Sequence, residues 1–191
     1  YPLQEWPRGP IKVLMIGRLL KEKGIREFAE AAALVKAARP DVEFHLLGQQ
    51  ETGHTSAISD AEMELWQKEG RLVWHGQQNV LPYLKEASLY VLPSYREGTP
   101  RSVLEALAVG RPVITTDVPG CRETIVDGVE GRLVPAKDAK ALAQAILESL
   151  ESPEKLRQMG AAARARAEAK YDVRLVNRQM MELMGLTPAE G

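Results

Sequence analysis

Residues 89–116 read LYVLPSYREGTPRSVLEALAVGRPVITT and contain two short apolar runs on either side of a helix-like segment. Leu89–Leu92 and Pro112–Thr116 are predicted to be buried β-strands, because such strands appear as uninterrupted runs of apolar and branched residues. Pro100–Val109 is predicted to be a helix, since Thr99 can cap it, proline suits the first helical position and a glycine follows its end. The stretch therefore predicts a β-α-β unit with two parallel strands.

The same alternation of strands and helices continues along the rest of the chain. The further predicted strands are Ile11–Ile16, Val42–Leu47, Arg71–His75 and Gly131–Val134. The further predicted helices are Gly24–Arg39, Ile58–Glu69, Val80–Ala87, Asp138–Leu150, Pro153–Glu168 and Val173–Met184. This order predicts the α/β class, with a Rossmann-like parallel sheet of about six strands, helices on both faces of the sheet and further helices at the C-terminal end.

Length and composition exclude several classes of protein. The 191 residues include 25 Lys and Arg against 26 Asp and Glu, a net charge of −1, so the chain lacks the basic excess that nucleic-acid binding requires. The longest apolar runs have four or five residues, whereas a membrane-spanning helix needs about 20. We therefore expect neither nucleic-acid binding nor a membrane span.

No metal site and no cysteine nucleophile are predicted. Cys121 is the single cysteine, which excludes an intrachain disulfide, and no histidine is placed to activate its thiol. The histidines His45, His54 and His75 lie in different segments, and no pair of them has the spacing of metal ligands. His45 and His75 fall within predicted strands, where a structural role is expected.

The loop after the first predicted strand carries two cations between two glycines. Arg18 and Lys23 lie five positions apart within Gly17–Gly24. A guanidinium and an ammonium could together bind a diphosphate, although on its own the loop also fits two solvated charges. Neither the dinucleotide motif G-x-G-x-x-G nor the phosphate-binding motif G-x-x-x-x-G-K-[ST] is present.

The loop after the fourth predicted strand leads directly into a helix. The first amides of a helix are unpaired and lie at its positive end, an arrangement that favours an anion. Glu97 precedes this helix and Glu105 lies within it, eight positions later. A carboxylate at this edge of the sheet can accept hydrogen bonds from two sugar hydroxyls. The alternative is that Glu97 is a turn residue and Glu105 a surface residue with an ion-pair partner.

These strand ends resemble a known enzyme family. Residues 96–106, REGTPRSVLEA, resemble the E-x7-E signature of glycosyltransferase family 4, whose members are retaining enzymes of the two-domain GT-B architecture. Further similarities follow in register between Ile11 and Leu183, at Gly17–Leu19, Lys23-Gly24, Leu46–Gly48, His75-Gly76, Val91–Ser94, Gly110–Ile114, Pro119-Gly120, Glu123, Val126–Gly128 and Gly131–Pro135. The resemblance thus extends over nearly the whole chain, which makes it far more specific than the motif alone.

The resemblance implies a role for each of several residues. Arg18 and Lys23 would neutralise the diphosphate of a nucleotide-sugar donor and, with Glu97 facing the reacting sugar, form the catalytic set. Glu105 would bind the ribose hydroxyls. Gly48 would allow close approach of the backbone, and the loop around Gly76–Val80 would border the nucleobase. The full set of implied substrate-binding residues is Arg18, Lys23, Gly48, Gly76, Val80, Gly98, Thr99, Pro100, Arg101, Ser102, Val103 and Glu105. No metal and no cofactor are implied, since the nucleotide-sugar, UDP-linked in many members, is a substrate.

The resemblance also predicts a domain organisation. It is to one half of a GT-B fold, the C-terminal, donor-binding half, so the chain alone is expected to be inactive. Residues 1–10, with three prolines, are predicted to be the remnant of an interdomain linker. Residues 11–184 would form the nucleotide-sugar-binding domain and residues 185–191 a tail. The last helix, about 171–184, either packs toward the missing N-terminal domain or covers the core of its own domain.

The function that follows is transfer of a hexose or N-acetylhexosamine from a UDP-sugar to a glycan or polyprenyl-linked acceptor, which the missing domain would bind. The sequence looks most like bacterial enzymes of surface-polysaccharide assembly. A cytoplasmic location is expected, and peripheral association with the inner face of the cytoplasmic membrane stays open. Two alternatives also stay open: a UDP-sugar 2-epimerase-like domain, and a non-catalytic binding domain of the same fold.

Overall fold

The computed structural model describes residues 1–186, and its centre is one sheet of six parallel strands. The strands are β1 (Lys12–Ile16), β2 (Glu43–Leu47), β3 (Val73–Trp74), β4 (Leu89–Leu92), β5 (Val113–Thr116) and β6 (Gly131–Val134). Their order across the sheet is β3-β2-β1-β4-β5-β6. The predicted Rossmann-like α/β fold with about six parallel strands is confirmed.

Seven α-helices within residues 1–186 surround the sheet. They are α1 (Ile25–Ala38), α2 (Asp60–Lys68), α3 (Val80–Glu86), α4 (Arg101–Ala108), α5 (Ala139–Leu150), α6 (Pro153–Tyr171) and α7 (Val173–Leu183), and a short 3-10 turn covers Lys21–Lys23. Helix α1 packs against α5, and α4 packs against α6. All four residues of β4 and of β5 are buried, which explains why these strands appear in the sequence as uninterrupted apolar runs. No helix among residues 1–186 is both long enough and apolar enough to cross a bilayer.

The strand order reverses between β1 and β4. The chain proceeds from β1 outward through β2 to β3, then returns to pair β4 with β1 and proceeds through β5 to β6 on the other side. In open parallel sheets a crevice forms outside the carboxyl ends of the strands at such a point of reversal. The loops after β1 and β4, which carry the predicted site residues, therefore border the same crevice.

Two details of the predicted elements are wrong. Helix α4 begins at Arg101, and Pro100 occupies the position before it with an extended backbone (φ −70°, ψ 107°) and without a side-chain cap. Thr99 therefore does not cap α4, because the helix starts one residue later than predicted. Strand β3 has two residues instead of the five predicted over Arg71–His75, and it lies at the edge of the sheet. Residues 187–191 of the predicted tail lie outside the described residues.

The first six residues, which we call the N-terminal strap, contact the domain through Arg111. This arginine is fully buried, and its guanidinium donates to the backbone carbonyls of Leu84 and Lys85 in α3 (2.9 Å each) and to that of Glu5 in the strap (2.7 Å). It also lies over the ring of Trp6, 5.7 Å from the centroid. Burial lowers the pKa of the Arg111 guanidinium to about 10. One buried cation thus caps the C-terminal end of α3 and holds the strap.

Replacing Arg111 with alanine should destabilise the domain strongly. The change leaves three carbonyls without their donor and opens a cavity, and we expect a loss of about 2–4 kcal/mol in the free energy of unfolding. Urea denaturation followed by circular dichroism measures this loss. The control is Arg39→Ala, which removes an exposed ion pair with Asp41 and should cost less than about 1 kcal/mol. Equal, small losses for the two variants would contradict the role assigned to Arg111.

Candidate active site

The crevice between the loops after β1 and β4 contains a cavity of about 500 Å³. Nine of the predicted site residues line it: Arg18, Lys23, Val80, Glu97, Thr99, Pro100, Arg101, Ser102 and Glu105. Gln78, from the loop expected to border the nucleobase, and Tyr1, which no pattern in the sequence indicated, also line it. Residues that are up to 104 positions apart in the chain are thus brought to one opening at the edge of the sheet.

An ion pair between Lys23 and Glu97 forms part of the cavity wall. The Lys23 Nζ lies 2.6 Å from the Glu97 Oε1, and the hydroxyl of Ser94 donates to the same oxygen at 2.7 Å. The two charged side chains are only 21% and 11% exposed, respectively. Because the carboxylate is held by two donors, it has a fixed position at the reversal point of the sheet.

The backbone around Gly24 brings Lys23 close to Glu97. Gly24 has a φ of 75°, a left-handed conformation that ends the 3-10 turn and starts α1. A Cβ atom on Gly24 would collide with the carbonyl oxygen of Pro93. The amide of Tyr95 also donates to the carbonyl of Glu22 at 2.8 Å. The loops after β1 and β4 therefore contact each other directly through their backbones.

The predicted Arg18 cation is exposed and only weakly bound within the protein. Its side chain is 61% exposed, and the carboxylate of Glu51 lies 3.6 Å from its guanidinium, too far for a strong hydrogen bond. An exposed pair of this kind contributes little free energy. The guanidinium can therefore exchange Glu51 for an anionic ligand at small cost.

Glu105 differs from the surface residue considered as an alternative. It is buried within α4, and its Oε1 accepts hydrogen bonds from the Arg101 Nε at 2.9 Å and from the hydroxyl of Tyr1 at 3.0 Å. A buried carboxylate at the border of a cavity, with both donors on one oxygen, keeps its second oxygen for a hydroxyl-bearing ligand. The i, i+4 spacing of Arg101 and Glu105 can be recognised in the sequence, but the contact between Tyr1 and Glu105 cannot.

The other predicted substrate-binding residues lie outside the cavity lining in the described chain. Gly98 lies in a second opening of about 570 Å³, on the other side of Lys23 and Glu97. The side chain of Val103 is fully buried in the core, and its amide donates to the carbonyl of Pro100.

Gly48 and Gly76 are joined by a hydrogen bond from the amide of Gly48 to the carbonyl of Gly76 at 2.9 Å. A Cβ atom on Gly48 would collide with the carbonyl of Gly17. The backbone of the neighbouring loop is therefore already a sufficient reason for glycine at position 48. Gly76 has a φ of 68° and open space around it, so its glycine is favoured by the backbone conformation.

His45 and His75, which lie in different segments of the sequence, contact each other in the structure. The Nδ1 of His45 lies 2.9 Å from the Nε2 of His75, and the Nε2 of His45 lies 3.1 Å from a carboxylate oxygen of Glu43. Burial lowers the pKa of His75. As far as residue 186, no group of three or more His, Cys, Asp and Glu side chains is placed to hold a metal ion. Cys121 is buried, which raises the pKa of its thiol and disfavours a reactive thiolate.

Comparison with known proteins identifies the family. A family model described as glycosyl transferases group 1 matches residues 4–166. The chain belongs to this family. Among curated proteins, the chain is 31% identical over 183 residues to the amylovoran biosynthesis glycosyltransferase AmsK of Erwinia amylovora, an alignment covering 92% of this chain and 44% of that protein.

This chain also aligns over most of its length with a second curated relative, but it covers less than half of that protein. The N,N'-diacetylbacillosaminyl-diphospho-undecaprenol alpha-1,3-N-acetylgalactosaminyltransferase of Campylobacter jejuni is 34% identical over 171 residues, which cover 90% of this chain and 43% of that protein. The chain therefore spans less than half the length of these relatives.

Solved structures of longer proteins contain the same fold. Sucrose-phosphate synthase from Thermosynechococcus elongatus superimposes with a TM-score of 0.80 at 30% identity, over 93% of this chain and 45% of that one. Anabaena Alr3699/HepE, solved in complex with UDP, superimposes with a TM-score of 0.84 at 24% identity, over 93% of this chain and 49% of that one. The fold of this chain is thus that of one part of larger GT-B proteins.

The close approach at Gly24 predicts a stability difference between two glycine substitutions. Gly24→Ala should lower the free energy of unfolding by about 3 kcal/mol or more, because both the positive φ and the collision with Pro93 oppose a side chain. Gly53→Ala is the matched control, since Gly53 has the same φ of 75° with nothing near its Cβ position, and it should cost about 1–2 kcal/mol. Thermal and urea unfolding measure both losses, and equal losses would show that the collision is relieved at no cost.

Proposed function

We propose that this chain is the donor-binding domain of a retaining glycosyltransferase of family 4 that uses a UDP-sugar. The observation that carries the proposal is the convergence of Lys23, Glu97 and Glu105 on one cavity, at the N-terminal end of α4. A nucleoside diphosphate needs cations for its phosphates and a hydrogen-bond acceptor for its ribose, and the cavity offers both. The structure of a fold relative in complex with UDP supports this choice of ligand.

The cations have a role both in binding and in the reaction. Arg18 and Lys23 would neutralise the diphosphate in the ground state and stabilise the additional charge that develops on the leaving nucleoside diphosphate. The unpaired first amides of α4, near Ser102, would hold phosphate and sugar oxygens. When Lys23 turns to the phosphates, the Glu97 carboxylate loses its cation and becomes free to accept hydrogen bonds from the donor sugar. The residues named would carry the reaction with no metal and no cofactor.

The donor sugar and the acceptor are each proposed as a chemical class. We propose transfer of a hexose or N-acetylhexosamine to a glycan or polyprenyl-linked acceptor in the cytoplasm. The names of the two curated relatives, a polysaccharide biosynthesis enzyme and an undecaprenol-linked N-acetylgalactosaminyltransferase, support this class of reaction. An acceptor-binding domain outside the chain would complete the site.

Helix α7 supports the proposal of a second domain. None of its residues is buried in the described chain, although it is amphipathic, and Val173, Met180 and Leu183 are 66%, 55% and 88% exposed. A soluble domain rarely leaves such a face uncovered unless something packs on it. Because the relatives are more than twice as long as this chain, we propose that the remaining part of the protein covers α7 and that residues 1–10 lead to it.

Binding of UDP to the isolated chain tests the proposal directly. We expect a dissociation constant between about 1 µM and 1 mM by isothermal titration calorimetry, the range of ordinary substrate affinities. Lys23→Ala should weaken binding about tenfold or more, because a charge-assisted contact is lost. Lys21→Ala is the matched control, since Lys21 lies in the same 3-10 turn outside the lining of the cavity and should bind like the wild type. A folded wild-type chain that binds no nucleoside diphosphate would overturn the proposed function.

Reaction products distinguish transfer from epimerisation. Incubated with a UDP-sugar and an acceptor, the isolated chain should give no transfer, whereas the protein that includes the proposed second domain should transfer the sugar with retained anomeric configuration. Proton NMR of the products reads the anomeric coupling constants. An epimerised UDP-sugar would instead favour the 2-epimerase alternative.

The variant Glu97→Gln of the longer protein should lose transfer of the sugar. If that variant still transfers the sugar, a different catalytic group would be favoured.

A further inference from the structure

Tyr1 lies at the border between two cavities. It lines the cavity of about 500 Å³ described above and also a neighbouring one of about 410 Å³ between α4 and the α6–α7 junction. Its hydroxyl donates to the Oε1 of Glu105 at 3.0 Å. A side chain from the N-terminal strap therefore contacts the carboxylate to which the proposed function assigns the ribose.

The strap fixes the position of Tyr1 through its backbone. The Arg164 guanidinium in α6 donates to the Tyr1 carbonyl at 2.9 Å. The amide of Gln4 donates to the carbonyl of Val109 at 3.3 Å, and the carbonyl of Glu5 accepts from Arg111. Because the backbone is hydrogen-bonded at residues 1, 4 and 5, the segment is short and fixed, and it holds the Tyr1 ring against Glu105.

The two donors to Glu105 differ in rigidity. Arg101 is 86% exposed at its side chain, so its contact with Glu105 is weakened by solvent and by the freedom of a long side chain. Tyr1 is 48% exposed, but it has only two side-chain torsions, and its backbone is held at its own carbonyl and at residues 4 and 5. Of the two, Tyr1 is therefore the better constraint on the rotamer of Glu105.

The hydrogen bonds leave one carboxylate oxygen free. Both donors act on Oε1, and within the part of the chain that the structure describes, Oε2 accepts no hydrogen bond and is not sealed from solvent. A carboxylate held at one oxygen presents the other in a fixed direction, which lowers the entropy that a ligand must remove on binding.

We propose that Tyr1 is a positioning residue for nucleotide binding: it holds Oε1 of Glu105 so that Oε2 is directed to a ribose diol. This inference rests on the proposed function, because it takes the ligand to be a nucleoside diphosphate with a free ribose. Tyr1 acts through Glu105 and does not need to contact the ligand. The class of ligand favoured by the contact is a ribonucleotide over a nucleotide that lacks the ribose hydroxyls.

Calorimetry with two nucleotides tests the proposal in the 191-residue chain. Tyr1→Phe should weaken binding of UDP about fivefold, because the Glu105 side chain then has to be immobilised when the ligand binds, and should leave binding of 2',3'-dideoxy-UDP unchanged. The effect should vanish when Tyr1→Phe is added to Glu105→Ala. Tyr171→Phe is the matched control, because it removes a hydroxyl that donates to the carbonyl of Glu123, and it should bind both nucleotides like the wild type.

Three results would overturn the proposal. Unchanged binding of UDP by Tyr1→Phe would show that the contact does no positioning. Equal weakening for both nucleotides would assign Tyr1 a structural role, and tighter binding of UDP would show that Tyr1 competes with the ribose for Glu105.

A ligand-free measurement separates this proposal from the proposed function. Burial and the Glu105 carboxylate raise the pKa of the Tyr1 hydroxyl. In the variant Glu105→Gln the carboxylate charge is absent, so the pKa of Tyr1, followed by carbon-13 NMR of its ring, should fall. An unchanged pKa of Tyr1 would show that its hydroxyl does not contact Glu105. The inference would then be overturned, whether or not the chain binds UDP. A lower pKa together with no binding of UDP by the wild type would locate the failure in the proposed function.

Discussion

Direct backbone contact between loops that follow different strands is the constraint on which the site depends. Gly24 allows the loop after β1 to lie against Pro93 in the loop after β4. Gly120, with a φ of 84°, does the same for the loop after β5, since a Cβ atom there would collide with the carbonyl of Gly98. Loops that simply continued from neighbouring parallel strands would stay as far apart as the strands themselves. Because Gly24 and Gly120 have no side chain, the loops after β1 and β5 can both lie against the loop that carries Glu97.

That close packing also pairs the charged groups of the partly buried cavity with one another. Lys23 and Glu97 neutralise each other across the contact between the loops, and Arg101 and Glu105 do so within α4. Removing charges from water is costly unless they are paired, so each carboxylate has a cation beside it. An incoming diphosphate would replace Glu97 as the partner of Lys23, and the sugar hydroxyls would replace Lys23 at Glu97. Binding would therefore give Lys23 a new anionic partner and replace the cation at Glu97 by hydrogen bonds, so both charged groups would keep polar partners.

Local patterns in the sequence predicted the sheet and most of the cavity lining, whereas contacts between distant segments could not be predicted. The apolar runs of β4 and β5 were recognisable because both strands are buried throughout. Glu97 and Glu105 were recognisable from their spacing and context. No pattern in the sequence indicated that the Arg111 guanidinium is buried against carbonyls contributed by α3 and the strap. The helix start at Pro100 and the cap at Thr99 were predicted wrongly, because the extended ψ of Pro100 was not visible in the sequence.

The N-terminal strap is held to the domain at two points and also contacts the cavity. Arg111 holds the strap at Glu5, and Arg164 holds it at Tyr1. The Tyr1 hydroxyl contacts Glu105 at the cavity. A displacement of the strap along α4 would therefore withdraw the Tyr1 hydroxyl from Glu105 and release the rotamer of that carboxylate. If residues 1–10 lead to a second domain, as we propose, the orientation of that domain and the geometry of Glu105, the carboxylate that we propose binds the ribose, would be connected through a path of hydrogen bonds only a few residues long.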